Sequence, residues 1–339
     1  MRALVIESPG ETRIAEIAKP APGPEEVLLR TLRIGMCGTD LSTFRGKNPL
    51  VTYPRIPGHE IAARIVETGA SVPAKFTPGL EVTLSPYTAC GKCPSCLRGR
   101  VNACQFNQTL GVQRDGAMTD YFVAHWSKLY VAEGLSLPEL SLVEPLSVGF
   151  HAAARGRVVR EDIVAVIGCG VVGLGAIAAA AHRGAKVIAV DIDDRKLAVG
   201  RAAGAALTVN SSAGKVHEEL QALTDGRGPD VIIEAVGMPA TFRMAVEEVA
   251  FTGRVVYIGY AKEPVAYETR LFVMKELDIL GSRNALDEFG TVIEALRGGR
   301  FPVSEIISRV VSLDEAGVAL KAWSDDPGAF VKVQVSLEG

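Results

Sequence analysis

Asp162–His182 reads DIVAVIGCGVVGLGAIAAAAH, and the reading of this stretch decides the fold. From Ile163 to Ala181 it runs 19 residues without a charge, long enough to be mistaken for a membrane span. Gly168, Gly170, Gly173 and Gly175 interrupt the run, and β-branched residues precede the first of them. A buried strand, a turn and a buried helix explain that pattern better. Gly168-Cys169-Gly170-Val171-Val172-Gly173 fits G-x-G-x-x-G, and it follows a strand and opens a helix, the context that gives the pattern meaning. The first glycine permits the turn, the second lets backbone approach a pyrophosphate, and the third allows close helix–strand packing. Phosphates would face the free N–H groups and positive dipole end of the helix. The next strand-like run, KVIAVD, ends at Asp191, 18 residues after Gly173. A carboxylate there accepts both ribose hydroxyls and repels a 2′-phosphate. NAD is therefore expected over NADP, with Arg195 near enough to blur the preference.

The same rhythm continues outward. ALTVN, PDVIIEAV, GRVVYIG and LDILGS are strand-like, and helical segments such as RKLAVGRAAG and ATFRMAVEEVA lie between strands. This alternation implies βαβ units and a doubly wound parallel sheet. Upstream, VLLRTLRIG, EIAARIVETG and LEVTLSPY are short β-rich runs spaced by Gly and Pro, and Pro20, Pro22 and Pro24 mark a loop. They suggest a small β-barrel with long excursions. Downstream, helix-like DEFGTVIEALRGG and strand-like AFVKVQVSL are expected to rejoin that barrel.

Composition narrows the class. A chain of 339 residues is about two domains long. Lys+Arg 36 against Asp+Glu 39 leaves a net charge of −3, which supplies no basic patch for nucleic acid and no acidic tail. Hydrophobic content of 48% with 22% charged residues is ordinary for a globular protein and excludes disorder. Glu7 and Pro9 break the opening apolar run, so no signal peptide is expected, and the compartment expected is the cytoplasm, without membrane partners.

The cysteines say more. Four of the 6 form Cys90-x2-Cys93-x2-Cys96-x7-Cys104, and without a secretory signal such clustering favours metal over disulfides. Four thiolates in one loop suit a closed, tetrahedral, structural zinc site. An iron–sulfur cluster fits less well, because the last gap is seven residues and Gln105 stands where its pattern has proline. A nucleic-acid zinc ribbon would want separated pairs and basic flanks, which Arg98 and Arg100 alone do not provide. A second constellation is spread out: Cys37-Gly38-Thr39-Asp40, Gly58-His59-Glu60 and Glu144-Pro145. A Cys, a His and one or two carboxylates make a mixed site that can leave a coordination position open for substrate. Singly, each residue has a bland reading as a buried thiol, a turn histidine or a surface acid; together, beside a nucleotide fold, they point to chemistry.

In that combination and order, CGTD at Cys37–Asp40, GHE at Gly58–Glu60, the four-cysteine lobe, EPL at Glu144–Leu146 and GCGVVG at Gly168–Gly173 resemble the zinc-dependent medium-chain alcohol/polyol dehydrogenase family across essentially the whole chain. The resemblance implies a GroES-like β-barrel catalytic domain over 1–148 and 286–339, and a Rossmann NAD-binding domain over 149–285. It implies NAD and two zinc ions per chain, one catalytic and one structural. The catalytic ion would be held by Cys37, His59 and a carboxylate, either Glu60 or Glu144. Thr39 would pass on the substrate proton, and Asp40 would orient the zinc-bound histidine. Val236, Gly237, Ile258, Gly259 and Ser282 would lie along the nicotinamide half of the cofactor. Zinc would act as a Lewis acid on the substrate hydroxyl, and hydride would pass to the nicotinamide. One departure stands out: Ser42 occupies the position where many relatives carry a relay-ending histidine. Either Ser42 with water completes the relay or another group such as His151 does.

Gly281-Ser282-Arg283-Asn284-Ala285, with RGKNPLVTYPRIPGHE, resembles bacterial dehydrogenases that oxidise C5 of hexonates such as L-galactonate or L-gulonate. The Arg283 guanidinium offers a fork that can hold a carboxylate in two bonds, though a cofactor phosphate or interdomain contact would serve as well. Asn284, Tyr53 and Phe289 are further candidates for substrate contacts. Sorbitol-like polyol oxidation and L-threonine 3-dehydrogenation are the alternatives within the class, and a non-catalytic zinc and nucleotide sensor the alternative outside it. Substrate and nicotinamide are expected to meet in an interdomain cleft, and the family implies a homodimer or homotetramer.

Overall fold

In a computed structural model describing residues 1–299 and 301–338, the alternating runs of the first half become antiparallel sheet. Strand β1 (Arg2–Ser8) pairs with β2 (Glu11–Glu16) as a separate ribbon. Then come β3 (Glu26–Gly35), helix α1 (Gly38–Phe44), β4 (Glu60–Thr68), β5 (Glu81–Leu84), the short α2 (Pro94–Leu97), β6 (Tyr121–His125) and β7 (Leu129–Val131). Strand β3 is buried along most of its length because it pairs with both β4 and β6. A 19-residue helix, α3 (Leu137–Arg155), follows with Pro145 inside it.

The parallel half starts with β8 (Ile163–Ile167), α4 (Val171–His182), β9 (Lys186–Asp191), α5 (Asp194–Ala202), β10 (Leu207–Asn210) and α6 (Val216–Leu223). It continues with β11 (Val231–Glu234), α7 (Pro239–Glu248), β12 (Arg254–Tyr257), α8 (Arg270–Met274) and β13 (Asp278–Gly281). The six strands lie in the order β10-β9-β8-β11-β12-β13, all parallel. That is the 3-2-1-4-5-6 order of a dinucleotide-binding fold. Helices cover a parallel sheet on both faces, so its strands can be apolar throughout; Val164, Ala165, Val166, Ile188, Ile232 and Val255 are wholly buried.

The chain then returns through α9 (Glu288–Arg297), α10 (Val303–Ile306), β14 (Ile307–Ser312), α11 (Ala316–Asp325) and β15 (Lys332–Ser336). The larger sheet runs β14-β15-β3-β4-β5-β7, with β6 on β3. Two compact units result: Met1–Glu144 with Phe289–Arg297 and Val303–Gly339, and Pro145–Glu288 with Gly298–Pro302. Each has its own core, the first around Leu29, Ile34, Ile61 and Val335, the second around Ile167, Val190, Ile232 and Leu220. Each large aliphatic side chain so buried contributes about 1.5–3 kcal/mol. Among the described residues no helix is long and apolar enough to cross a membrane; the uncharged Ile163–Ala181 run divides into β8, a turn and α4.

Candidate metal centres and nucleotide loop

Sheet register builds the first centre. Glu60, the first residue of β4, pairs with Gly35 at the end of β3, and Gly35 also pairs with Gln334 of β15. Cys37 follows immediately as the N-cap of α1, its N–H donating to Asp40 Oδ2 at 2.9 Å. The Cys37, His59 and Glu60 ligand atoms consequently lie within 4.8 Å of one another. Thr39, on the first turn of α1, has its hydroxyl 3.7 Å from the Cys37 sulfur. Asp40 Oδ1 and His59 Nδ1 lie 3.9 Å apart, both buried and without a hydrogen-bond partner among the described residues. Gly35 is required by close approach: a Cβ there would stand 1.9 Å from Glu60 Oε2.

Two residues that sequence reasoning missed complete this centre. Lys332, buried at the start of β15, donates to Glu60 Oε1 at 2.7 Å, Glu60 Oε2 at 2.6 Å and the Met36 carbonyl at 2.9 Å. The buried Tyr87 hydroxyl donates to Glu144 Oε1, and Glu144 stands outside the 4.8 Å grouping. The one signal for Lys332 was a pair of polar residues, Lys332 and Gln334, at alternate positions of an otherwise valine-rich strand. Electrostatically the site is crowded with acids. Burial pushes Glu60 up to about 7 despite Lys332, and burial also raises Glu144. Burial alone would lower His59, but Cys37, Asp40 and Glu144 outweigh it and raise the imidazole. Orphaned buried acceptors, a thiol, an imidazole and a carboxylate facing one point form the donor set a borderline-soft divalent cation requires, so the residues fit zinc.

The second centre is local. The four sulfurs of Cys90, Cys93, Cys96 and Cys104 also lie within 4.8 Å of one another. Cys93 Sγ is 3.5 Å from Cys96 Sγ and 3.8 Å from Cys104 Sγ. Both are far longer than a disulfide, and a zinc tetrahedron with Zn–S bonds of about 2.3 Å has edges of about 3.8 Å. Backbone N–H groups of Cys93, Cys90 and Phe106 point at sulfurs from 3.3–3.4 Å, as suits thiolates. Such closeness leaves space for one ion and none for an iron–sulfide core.

In the parallel unit, Gly168 has φ +97° and a Cβ on Gly173 would stand 1.8 Å from the Gly168 carbonyl oxygen, so the loop folds back on the helix start. Gly170 caps α4 with open space beside it, and Val171 and Val172 begin the helix with their N–H groups at its N-terminus. Asp191 Oδ2 accepts the Cys169 N–H at 2.7 Å, while Oδ1 accepts those of Ile192 and Asp193. Arg195 is drawn to Asp193 at 2.9 Å, which holds that carboxyl down at about 2. The ends of β11 and β12 are tied together: Glu234 Oε1 accepts the N–H groups of Val236 and Gly237, and the Ile258 N–H donates to the Glu234 carbonyl. Gly259 lies close to Gly237, where a Cβ would be 2.6 Å from the Gly237 Cα. Ser282 is buried, Arg283 exposed, and Asn284 has φ +54°.

The remaining candidates have contacts of their own. Tyr53 packs on the first core and donates its hydroxyl to the Thr43 carbonyl. Phe289 is 1% exposed and stacks on Tyr130 at 4.8 Å. His151 Nδ1 bonds to Glu288 at 2.7 Å, and Ser42 is half-buried on α1.

Comparisons with known proteins agree with this fold. Residues 23–134 match the alcohol dehydrogenase GroES-like domain and residues 171–297 the zinc-binding dehydrogenase domain. The chain is 31% identical to L-galactonate-5-dehydrogenase of Escherichia coli K12, over 85% of this chain and 84% of that one. It is also 31% identical to sorbitol dehydrogenase of Bacillus subtilis, over 99% and 97%. Among solved structures, an alcohol dehydrogenase of E. coli CFT073 in complex with NADH matches with TM-score 0.92 and 28% identity, covering 99% of both chains. A zinc-binding dehydrogenase of Sinorhizobium meliloti bound to NADP matches with TM-score 0.91 and 30% identity, covering 99% of this chain and 98% of that one. With a GroES-like domain and a zinc-binding dehydrogenase domain both matched, the chain belongs to the zinc-binding dehydrogenase family, as an NAD(P)-dependent zinc alcohol dehydrogenase acting on CH–OH groups.

Proposed function

We propose that the chain oxidises a secondary alcohol of a sugar acid, C5 of a hexonate such as L-galactonate or L-gulonate, with NAD as hydride acceptor. The observation that carries the reaction type is the Cys37–His59–Glu60 grouping beside the Thr39 hydroxyl. Bound zinc would supply Lewis-acid polarisation of the substrate hydroxyl, and bound NAD would take the hydride. Cys37, His59 and Glu60 would hold the metal, and Asp40 Oδ1, 3.9 Å from the imidazole Nδ1, would orient the histidine. Thr39 accepts the substrate proton and passes it outward, with Ser42 and water on the same helix, or His151 held by Glu288, completing the relay. Cys90, Cys93, Cys96 and Cys104 hold a structural ion. Met1–Glu144 with the returning C-terminal elements serves as the catalytic domain and the parallel unit as the coenzyme domain.

Asp191 at the end of β9 supports NAD, and the Asp193 carboxylate engages the nearby arginine that would otherwise attract a 2′-phosphate. Asp191→Ala is expected to shrink the NAD-over-NADP preference by about tenfold, the worth of one polar contact of about 1.4 kcal/mol; an unchanged ratio removes that role. The exposed Arg283 fork and the similarity to L-galactonate-5-dehydrogenase support a carboxylate-bearing substrate. A neutral polyol is the second reading, favoured by equal identity to sorbitol dehydrogenase over more of the chain. Reduced-nucleotide formation with a panel of hexonates, polyols and L-threonine decides among them. Selective hexonate turnover that Arg283→Ala abolishes is the expected result; turnover of polyols instead returns Arg283 to a cofactor or packing role. The half-exposed edge strand β13, with Ile279 41% exposed, supports self-association into a homodimer or homotetramer.

A further inference from the structure

We propose that Lys332 is a positioning residue that restrains Glu60 and keeps its hold on the catalytic metal reversible, a role that rests on the metal centre proposed above. An ammonium carries three donors, and Lys332 spends them on both oxygens of Glu60 and on the Met36 carbonyl. Both carboxylate oxygens therefore face a cation already, and a metal ion must share their lone pairs with it. The third bond anchors the residue preceding Cys37, so one buried ammonium sets the placement of two ligand-bearing segments at once. Backbone geometry reinforces the arrangement. Gly35, opposite Glu60 in the β3–β4 register, leaves the notch that Oε2 occupies, and a Cβ would fill it. Gln334 pairs with the same Gly35 from the other side, which delivers Lys332 two residues earlier on β15 to the carboxylate. Glu144 Oε1 accepts the Tyr87 hydroxyl, whereas both oxygens of Glu60 accept from the Lys332 ammonium, which competes with the metal for their lone pairs.

The test is metal release. Zinc-loaded wild-type enzyme and Lys332→Met are challenged with a chelator, and the phase belonging to the Cys37 site is identified as the one missing from Cys37→Ser. With no ammonium to balance it, Glu60 closes on the metal. Release from that site is then expected to slow about tenfold, the scale on which residues behind metal ligands act. The value of kcat is expected to fall while KM for the nucleotide stays unchanged. A merely structural lysine would loosen the ligands, so faster or unchanged release overturns the proposal. If Lys332→Met does not fold, Glu60→Gln is compared with Glu60→Gln/Lys332→Met. Equal release rates support action through Glu60, and unequal rates overturn it. Should Cys37→Ser keep both metal ions, the metal-centre reading itself fails, independently of Lys332.

Discussion

The two cysteine centres of this chain are built in opposite ways. Cys90–Cys104 draws four sulfurs from 15 consecutive residues, while the other centre draws on residues 37, 59, 60, 144 and 332. In the lobe, backbone N–H groups and α2 suffice to aim the thiols. At the Cys37 centre, antiparallel register has to bring three strands together, and a buried ion pair has to be satisfied. Taking such charges out of water costs several kcal/mol per ion, offset here by two short bonds to Glu60 and a third to a carbonyl. A local, uniform, closed ligand set holds a loop together. A dispersed, mixed set, with Asp40 Oδ1 and His59 Nδ1 left without hydrogen bonds among the described residues, is shaped for reactivity.

Breaking each centre in turn should separate these roles. The largest effect is expected from Cys37→Ser. Losing several kcal/mol of polarisation at the reacting hydroxyl lowers turnover by at least about 10³-fold. Nucleotide binding, followed by fluorescence titration, stays intact because the loop at Gly168–Gly173 belongs to the other unit. Cys96→Ser is expected to act on stability instead. Metal binding energy in a closed site is folding energy, and at about 2–4 °C per kcal/mol the Tm should drop by about 10 °C, with kcat at low temperature near wild type. Normal melting with full loss of turnover would reverse the assignment of the two centres. Gly35→Ala sharpens the contrast more gently: its Cβ displaces the Glu60 carboxylate, weakening metal at the Cys37 centre by about tenfold and leaving the lobe's ion in place. Equal loss from both sites would contradict that.

The smallest expected difference is in acid sensitivity. The Ser95 hydroxyl and backbone N–H groups hold the Cys93 thiol down to about 5, while burial pushes Cys96 up to about 11. Metal needs thiolates, so zinc binding at neutral pH displaces the proton of Cys96 but not that of Cys93. Protons compete increasingly as pH falls from about 11 to about 5, and lobe occupancy should decline in that direction. The lobe displaces protons from thiols alone, whereas the Cys37 centre must also displace them from the raised His59 and from Glu60 near 7, so its occupancy should fall more steeply as pH drops through about 7. Metal retained after dialysis at a series of pH values checks the slopes.

Helix α3 shows where pattern reading stops. Glu144-Pro145 stood out as a motif, yet an interior proline argues against helix, and the pair lies within a 19-residue one. Tertiary packing overrides the cost of one missing N–H donor. The parallel strands were easier, since glycine punctuation and continuous apolar runs of the right length specify them without reference to distant partners. Tyr87 gave no signal at all: a tyrosine in a β-rich run is ordinary, and its bond to Glu144 spans 57 residues.

The amino-acid sequence by itself determined the nucleotide turn and the thiolate lobe, because the groups that make each are neighbours along the chain and local backbone geometry aims them. It also determined that a thiol, an imidazole and carboxylates of the right kinds were present for a second metal. Only the tertiary structure decided which carboxylate joins Cys37 and His59 within 4.8 Å, and that Lys332, 272 residues from Glu60, holds it there. The reason is register: pairing of Gly35 with Glu60 on one side and Gln334 on the other exists only once the sheet has formed.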